Sequence, residues 1–253
     1  MPSTKAACFI GIHKAPPNLT LAEFEVKVGA LGDAIAALPV AQRTVLKLDI
    51  ISQNTLMDKA MTAVGLPVPV PTVVMSVEYK GVDHLDEFLK DPELRKLLAE
   101  ADDFGFLQGA TAFAADEITK VDVPEATAGM NVICIYSRPP HLSAEDFVQK
   151  MGDLMDNITA QPIQHHFTNY TLWVQNDAVE KHLQDLGYPV PEPLVIVRAA
   201  AENLDGMLEI FGHPEVGQLL VQGIRNFGFH ADSENPVDSC CFSADVDTKM
   251  NNY

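Results

Sequence analysis

The sequence has little positive charge, little cysteine and no long apolar run. Lysine and arginine total 17 residues against 35 aspartate and glutamate residues, so the net charge is −18. Proteins that bind nucleic acid or an anionic membrane surface use lysine and arginine to neutralise phosphate groups. A membrane-spanning helix needs a run of about 18 apolar residues, and none is present. We therefore expect neither nucleic acid nor a membrane as a partner.

The N-terminal residues resemble no export signal. Only about six apolar residues precede His13 and Lys14, too few for the core of a signal peptide. We therefore expect a cytoplasmic protein, in which thiols stay reduced. The four cysteines form no CxxC pair, and adjacent residues such as Cys240 and Cys241 bridge only with strained geometry. We expect no metal site and no structural disulfide.

No cofactor motif is present either. The nucleotide-binding patterns GxGxxG and GxxxxGK[S/T] do not occur in the sequence. Haem would need one axial histidine as a ligand. His13, His165 and His166 are candidates for that ligand by position alone. We predict that the protein works without a cofactor, and haem stays open as the alternative.

The chain repeats itself along nearly its whole length. After a shift of 123 residues, PPNLTLAEFEVKVGALGDAIAALP (16–39) aligns with PPHLSAEDFVQKMGDLMDNITAQP (139–162). GLPVPVP (65–71) matches GYPVPEP (187–193), and FAADEITK matches FSADVDTK. Such self-similarity indicates a tandem duplication. We predict two units, at 1–122 and 130–253, with a break near Val123–Gly129.

Both units show the same order of elements, βαββαβ. Apolar runs rich in β-branched residues predict the strands, and the motifs Thr20-x-x-Glu23 and Ser143-x-x-Asp146 predict the start of the first helix. This order is the ferredoxin-like arrangement, with both helices on one face of a four-stranded sheet. The other face is too apolar for water and must be covered. We predict an α+β fold in which two tandem ferredoxin-like repeats pair sheet to sheet.

A resemblance to a known family supports this fold. SRPPHLSAEDF (137–147) and HKAPPNLTLAEF (13–24) resemble the opening of EthD-type domains: a strand, a basic-Pro-x-Leu-Ser/Thr turn and a helix with Glu-Phe. The chain thus resembles the dimeric α+β barrel superfamily in a fused, two-repeat form. EthD-like proteins often place a histidine near the end of the first helix, where this sequence has Gly32-Asp33 and Met155-Asp156.

The resemblance implies a fold and a pocket rather than one reaction. The superfamily contains cofactor-free monooxygenases, polyketide cyclases, muconolactone-type isomerases, haem enzymes and proteins of unknown activity. The departure in the first helix puts in doubt any chemistry that depends on the missing histidine.

Alternation along the strands predicts which side chains face the barrel interior, since successive residues point to opposite faces. On the first strands, the isoleucines are expected to face the helices. The predicted inward residues are Phe9, Gly11, His13, Val132, Cys134 and Tyr136 on the first strands; Val45, Lys47, Asp49, Ile51, Phe167, Asn169, Thr171 and Trp173 on the second; and Thr72, Val74, Ser76, Leu194, Ile196 and Arg198 on the third.

These residues form a mixed apolar and polar set, which is typical of a small-molecule site. His13 and Tyr136 are the predicted catalytic acid–base groups. Each also has a structural interpretation: His13 as a residue that faces water, and Tyr136 as core packing. Alternatively, Lys47 and Asp49 form an ordinary ion pair, and Arg198 forms an ion pair with Asp49. The predicted substrate-binding residues are Phe9, Lys47, Asp49, Phe167, Asn169, Trp173 and Arg198.

The sequence supports two hypotheses for function. One is a cofactor-free cyclase, isomerase or monooxygenase that acts on an aromatic or polyketide-like molecule. The other is a non-catalytic, stress-related or accessory protein that binds a hydrophobic small molecule. In both, the partner is a small hydrophobic or aromatic ligand. A homodimer is a further alternative, because an edge strand can pair with a second copy of the chain.

Overall fold

The structure is a computed structural model that describes residues 7–66, 69–123, 129–190, 194–227 and 239–253. Most of the predicted break between the units, residues 124–128, lies outside these ranges. The strands are β1 (Ala7–Lys14), β2 (Val45–Asn54), β3 (Thr72–Tyr79), β4 (Thr111–Asp122), β5 (Met130–Ser137), β6 (Phe167–Asn176), β7 (Leu194–Ala201) and β8 (Cys240–Asn251). The helices are α1 (Leu21–Ala36), α2 (Pro39–Thr44), α3 (Asp58–Ala63), α4 (Val82–Lys90), α5 (Pro92–Ala101), α6 (Ala144–Thr159), α7 (Glu180–Asp185), α8 (Leu204–Gly212) and α9 (Pro214–Phe227).

The eight strands form one closed antiparallel barrel in the order β1-β3-β2-β8-β5-β7-β6-β4. The last strand of each half is shared with the other half. β4 pairs with β1 and with β6, while β8 pairs with β5 and with β2. The halves therefore close a single barrel because the last strand of each also pairs with the second strand of the other, and the predicted fold class is confirmed.

Helices cover the outside of the barrel in two layers, one for each half. The capping box predicted for α1 forms, because Thr20 Oγ1 accepts a hydrogen bond from the Glu23 amide and Thr20 N donates to Glu23 Oε2 at 2.9 Å. The apolar stripe of α1 packs into the first layer and that of α6 into the second. The buried stripes are Phe24, Val28, Leu31 and Ile35 on α1 and Phe147, Met151, Met155 and Ile158 on α6.

Each helix layer also contains residues from the other half of the chain. Met57 and Leu66, which flank α3 in the first half, pack into the second layer. In the opposite direction, Leu183 on α7 and Tyr188 just after it pack into the first layer. Each layer is thus completed by residues of the other half.

The barrel interior is filled with apolar side chains from all eight strands. This third cluster consists of Cys8, Ile10, Ile12, Ile51, Val74, Phe113, Ala115, Ile133, Ile135, Trp173, Leu194, Ile196, Cys240, Phe242 and Ala244. Within the described ranges, no helix combines the length and the apolar character that crossing a bilayer would require.

The predicted facing of the first strands is wrong. Ile10 and Ile133 point into the barrel, whereas Phe9 and His13 on β1, with Val132, Cys134 and Tyr136 on β5, point toward the helices. Both faces of β1 and β5 are buried and apolar. Alternation therefore shows which residues share a face, but not which of the two faces points toward the helices.

Two β-bulges explain the remaining errors. The pairing register shifts between Val45 and Lys47 on β2 and between Phe167 and Asn169 on β6. A bulge adds one residue and reverses the facing beyond it. Val45 and Phe167 therefore lie in the helix layers, while Ile51 and Trp173 face the interior as predicted. The inward facing predicted for the third strands is confirmed for Val74, Leu194 and Ile196.

One pair of cysteines departs from the expectation of reduced thiols. Cys134 on β5 and Cys241 on β8 are directly opposed in the strand pairing, with their Cα atoms 4.1 Å apart, and they form a disulfide. Their separation of 107 residues hides this proximity in the sequence. The expectation of no structural disulfide is therefore wrong for this pair, and Cys8 and Cys240 are not part of it.

Candidate functional site

His13 is packed among aromatic rings in the first helix layer, a cluster that we call the aromatic pocket. Its ring stacks on Phe106 with 3.8 Å between centroids, and Tyr188 from the second half meets it edge-on at 6.0 Å. The imidazole folds over Gly11, where a Cβ would come within 2.6 Å of Nε2. Glycine is therefore required at this position for the ring to lie as it does.

The hydrogen bonds of His13 define its tautomer. Nδ1 lies 3.0 Å from the Phe106 carbonyl oxygen, and since a carbonyl only accepts, Nδ1 carries the proton. Nε2 then has a free lone pair and has no hydrogen-bond partner in the part of the chain that the structure describes. Burial lowers the pKa of His13 to about 4, although the bond to Phe106 opposes this shift. The ring is thus neutral at pH 7, with an unpaired basic nitrogen.

Tyr136 occupies the corresponding place on β5. It is buried in the second layer, with its ring 6.4 Å from that of Phe227. Burial raises the pKa of its phenol. His13 and Tyr136 therefore lie in different layers, and the prediction that they share one cavity is wrong.

A second candidate region lies inside the barrel. Around the closed barrel, β1, β2, β5 and β6 run in one direction and the other four strands in the opposite direction. The first residues of one set therefore meet the last residues of the other set at the same end. At that end, the interior face carries Lys47, Asp49, Ser76, Glu78, Glu117, Asn131, Asn169, Thr171, Arg198 and Thr248, which we call the polar end.

Asp49 is the centre of the polar end. Its side chain is 2% exposed. Its Oδ1 accepts a hydrogen bond from Thr248 Oγ1 at 2.6 Å, and its Oδ2 forms an ion pair with Lys47 Nζ at 2.8 Å. Arg198 lies on β7, on the other side of the barrel interior. Its Nη1 is 3.9 Å from Asp49 Oδ2. The interpretation as an ion pair thus holds for Lys47 and Asp49, and the pair is largely buried.

Two more carboxylates belong to the same region. Glu78 accepts a hydrogen bond from the Tyr253 hydroxyl, and Glu117 accepts one from Trp173 Nε1 at 3.4 Å. Burial raises the pKa of Glu78, and the nearby Glu117 and Asp49 add to this effect, while the bond from Tyr253 and the charge of Lys47 oppose it. Glu78 therefore holds a proton more readily than an ordinary glutamate does.

The structure thus brings together only part of the predicted set. Lys47, Asp49, Asn169, Trp173 and Arg198 lie at or beside the polar end. Phe9 shares the first layer with the aromatic pocket, while Phe167 stacks on Tyr170 in the second layer.

Sequence reasoning missed Phe106, Tyr188, Glu78, Glu117 and Asn131. Phe106 and Tyr188 lie in loops, outside the strands to which alternation was applied. Glu78 continues the inward alternation predicted for β3 by one step, so the same rule finds it. No facing was predicted for β4, on which Glu117 follows the inward Phe113 and Ala115. Asn131 was missed because the facing of β5 was reversed.

Two surface grooves are poorer candidates. The larger, about 700 Å³, lies between α3 and α9 and is lined by residues such as Val64, Gly217 and Gln222, none of them ionisable. The smaller, about 180 Å³, lies between α6 and α9, with Lys150 and Asp153 at its edge. Within the described ranges, no cluster of three His, Cys, Asp or Glu residues is placed to hold a metal ion.

Comparison with solved structures supports the fold. A candidate monooxygenase from Fusobacterium nucleatum subsp. nucleatum superposes with a TM-score of 0.56 at 7% identity, covering 98% of this chain and 94% of that one. An anthrone oxidase-like protein gives 0.55 at 10% identity, covering 98% and 95%. A candidate monooxygenase from Lactobacillus acidophilus gives 0.51 at 7% identity, covering 97% and 95%.

This chain has the fold of the dimeric α+β barrel proteins, in a fused form. No protein-family model and no curated protein sequence matches it. At these identities the similarity concerns the backbone alone.

Proposed function

We propose that the protein is a small-molecule enzyme that works without a cofactor and moves a proton with His13. The observation that carries this proposal is the unpaired Nε2 of a buried, neutral imidazole among aromatic rings. The substrate class is an aromatic or polyketide-like molecule. The reaction is a cyclisation, an isomerisation or a monooxygenation.

The pocket suits an acidic carbon or phenol in a flat molecule. Phe106 and Tyr188 provide ring surfaces, and Phe9 lies in the same layer. Nε2 accepts the proton, and the bond from Nδ1 to the Phe106 carbonyl becomes stronger when the ring gains charge. Since His13 is fully buried, the substrate enters only after the neighbouring aromatic side chains move.

Anthrone is a suitable probe because one similar structure is described as anthrone oxidase-like. Its ring CH₂ next to the two arenes is acidic, and loss of one proton to His13 gives a carbanion that O₂ oxidises. The balanced reaction converts anthrone and O₂ into anthraquinone and water. Anthraquinone absorbance and O₂ consumption follow it together.

His13→Gln should slow turnover at least about tenfold, because general bases usually contribute at least that much. His13→Ala should do the same. Tyr79→Phe is the matched control, since it removes a buried hydroxyl of the same layer that has no hydrogen-bond partner among the described residues. If His13→Gln keeps the rate of the wild type on a substrate that the wild type turns over, the proposed role of His13 is wrong.

The acid–base role of Tyr136 stays a prediction, and the same assay tests it. A tenfold slower Tyr136→Phe variant would mean that the second layer takes part in the reaction. An unchanged rate would leave His13 as the one active group and Tyr136 as packing.

A non-catalytic binding protein is the second candidate. The complete burial of His13 favours it, because a closed pocket releases a bound molecule slowly. Native mass spectrometry of freshly purified protein separates the two. A co-purifying aromatic compound that stays chemically unchanged supports storage, whereas conversion of candidate aromatic compounds supports catalysis.

A further inference from the structure

We propose that the polar end of the barrel is a second binding site, for a small carboxylic acid that also carries a hydroxyl group. This site does not involve His13, which points to the opposite side of the sheet. The inference rests on Arg198, Lys47 and Asn169, whose polar groups converge on the interior face of the barrel.

Arg198 is largely buried, with 18% of its side chain exposed, and it is held in one orientation. Its Nε and Nη2 both donate to Asn131 Oδ1, at 3.2 and 3.1 Å. Nη1 points toward Asp49 but at 3.9 Å it is beyond hydrogen-bond distance. Among the described residues, Nη1 has no hydrogen-bond acceptor, so a guanidinium edge stays available for an oxyanion.

The contacts of Asp49 leave the Nη1 edge of Arg198 available to a ligand. Lys47 and Arg198 both lie against Asp49, whose Oδ1 is engaged by Thr248 and whose Oδ2 is engaged by Lys47. Both oxygens of Asp49 are thus engaged, and the other carboxylates of the polar end, Glu78 and Glu117, bond to Tyr253 and Trp173. Although these carboxylates outnumber the two cations, none of them bonds directly to Nη1 of Arg198 among the described residues. A buried charge needs a partner, and the carboxylate of a ligand supplies one.

Asn169 gives the site its preference for a ligand that carries a hydroxyl group. It lies on β6 opposite Ala200, diagonal to Arg198 on the neighbouring strand. Its Oδ1 is buried and has no hydrogen-bond donor among the described residues. Diagonal neighbours on a sheet are about 7–8 Å apart, a span that a carboxylate and an adjacent hydroxyl bridge. A hydroxy acid therefore satisfies the Arg198 edge and the Asn169 oxygen together.

The duplication provides an independent observation. Lys47 and Asn169 occupy equivalent positions, as do Ser76 and Arg198, and as do Glu78 and Ala200. The arginine thus stands in the half where the neighbouring residue is a small alanine rather than a glutamate. The neighbour of Arg198 on this face of β7 is thus not an acid that would occupy its Nη1.

Trp173 gives a direct readout, because it is the only tryptophan of the chain and its indole bonds to Glu117 at the polar end. We would titrate the full-length protein with glycolate while recording Trp173 fluorescence, at an ionic strength of about 0.15 M to screen the net negative charge. Acetate lacks the hydroxyl, glycolamide lacks the charge, and sulfate is an inorganic oxyanion. Glycolate should bind at least about threefold more tightly than acetate or sulfate, and glycolamide should not bind measurably.

Three variants test the residues. Arg198→Gln, which can still bond to Asn131, should weaken glycolate binding at least about tenfold. Asn169→Leu should remove the preference for glycolate over acetate while leaving acetate binding within about twofold. Arg43→Gln is the matched control, because Arg43 is an exposed arginine on α2 that pairs with Glu87 outside the barrel, and this variant should bind like the wild type. Far-ultraviolet circular dichroism verifies that each variant is folded.

Three results would overturn the proposal: no binding of glycolate to the wild type, unchanged binding to a folded Arg198→Gln variant, or equal binding of sulfate and glycolate. The proposed enzyme activity is tested separately, since glycolate binding is measured without turnover and His13→Gln should bind glycolate like the wild type.

Discussion

The two halves of the chain have the same backbone plan and different chemistry. The first half carries His13 over Gly11, with Lys47, Asp49 and Glu78 facing the interior. The second half has Tyr136, Asn169, Thr171 and Ala200 at the equivalent positions, and its one charged replacement is Arg198. The comparison shows that duplication preserves strand order and core volume, whereas ionisable groups are free to differ between the halves.

The largest expected difference concerns the buried charges. Asp49→Asn should lower the free energy of unfolding by about 3–4 kcal/mol, because Lys47 and Arg198 then lack their shared carboxylate. The equivalent change, Thr171→Val, should cost about 1 kcal/mol, for the loss of one hydroxyl contact with Thr119. Urea denaturation measures both. Similar costs would mean that the charge asymmetry contributes little to stability.

The next difference depends on pH. His13 has a lowered pKa in the folded protein, so the unfolded chain takes up the proton first as the pH falls below about 6.5. The stability of the wild type relative to His13→Gln should therefore decrease by up to about 3 kcal/mol between pH 6.5 and pH 4, at about 1.4 kcal/mol per pH unit at most. Urea denaturation at several pH values measures this. A difference that stays constant with pH would contradict the burial of a neutral ring.

A smaller effect is expected at Gly11. Gly11→Ala should lower stability by about 2 kcal/mol, because the new methyl group overlaps His13 Nε2. In a His13→Ala background the same change should cost less than about 0.5 kcal/mol, since the clash is absent. Equal costs in the two backgrounds would show that the ring does not lie over this residue.

The smallest difference is at the first helix of each half. Thr20 and Glu23 form a complete capping box, in which the Thr20 amide also donates to Glu23 Oε2. In the second half, Ser143 Oγ accepts from the Asp146 amide at 3.0 Å and donates to Asp146 Oδ2 at 2.7 Å. Thr20→Ala should cost about 1 kcal/mol, and Ser143→Ala about half of that. Thermal unfolding ranks the two variants. A larger cost for Ser143→Ala would reverse the expected order.

Much of the fold was predictable because its signals are periodic and occur twice. The capping motif at Thr20, the apolar stripe that begins with Phe24, and the strand order each recur in the second half, and the structure confirms the closed barrel. The division into units at 1–122 and 130–253 stays a prediction.

The candidate site was less predictable for physical reasons. On β1, both Phe9 and Ile10 are buried, so no difference in polarity marks the side that faces the helices. A bulge at Phe167 changes the facing without any sign in the composition. The contact of His13 with Phe106 joins residues 93 positions apart through a loop. Such contacts depend on tertiary packing, which strand periodicity does not encode.

The pairing of each last strand with both halves has a consequence for how the molecule holds together. β4 and β8 each form hydrogen bonds with strands of both halves, so the two halves are joined by a hydrogen-bonded sheet as well as by the covalent linkage. Two separate polypeptides, 1–122 and 130–253, should therefore associate when they are produced in the same cell. Each alone would leave the edge of its last strand open and prone to aggregation, so fragment complementation should succeed only with both.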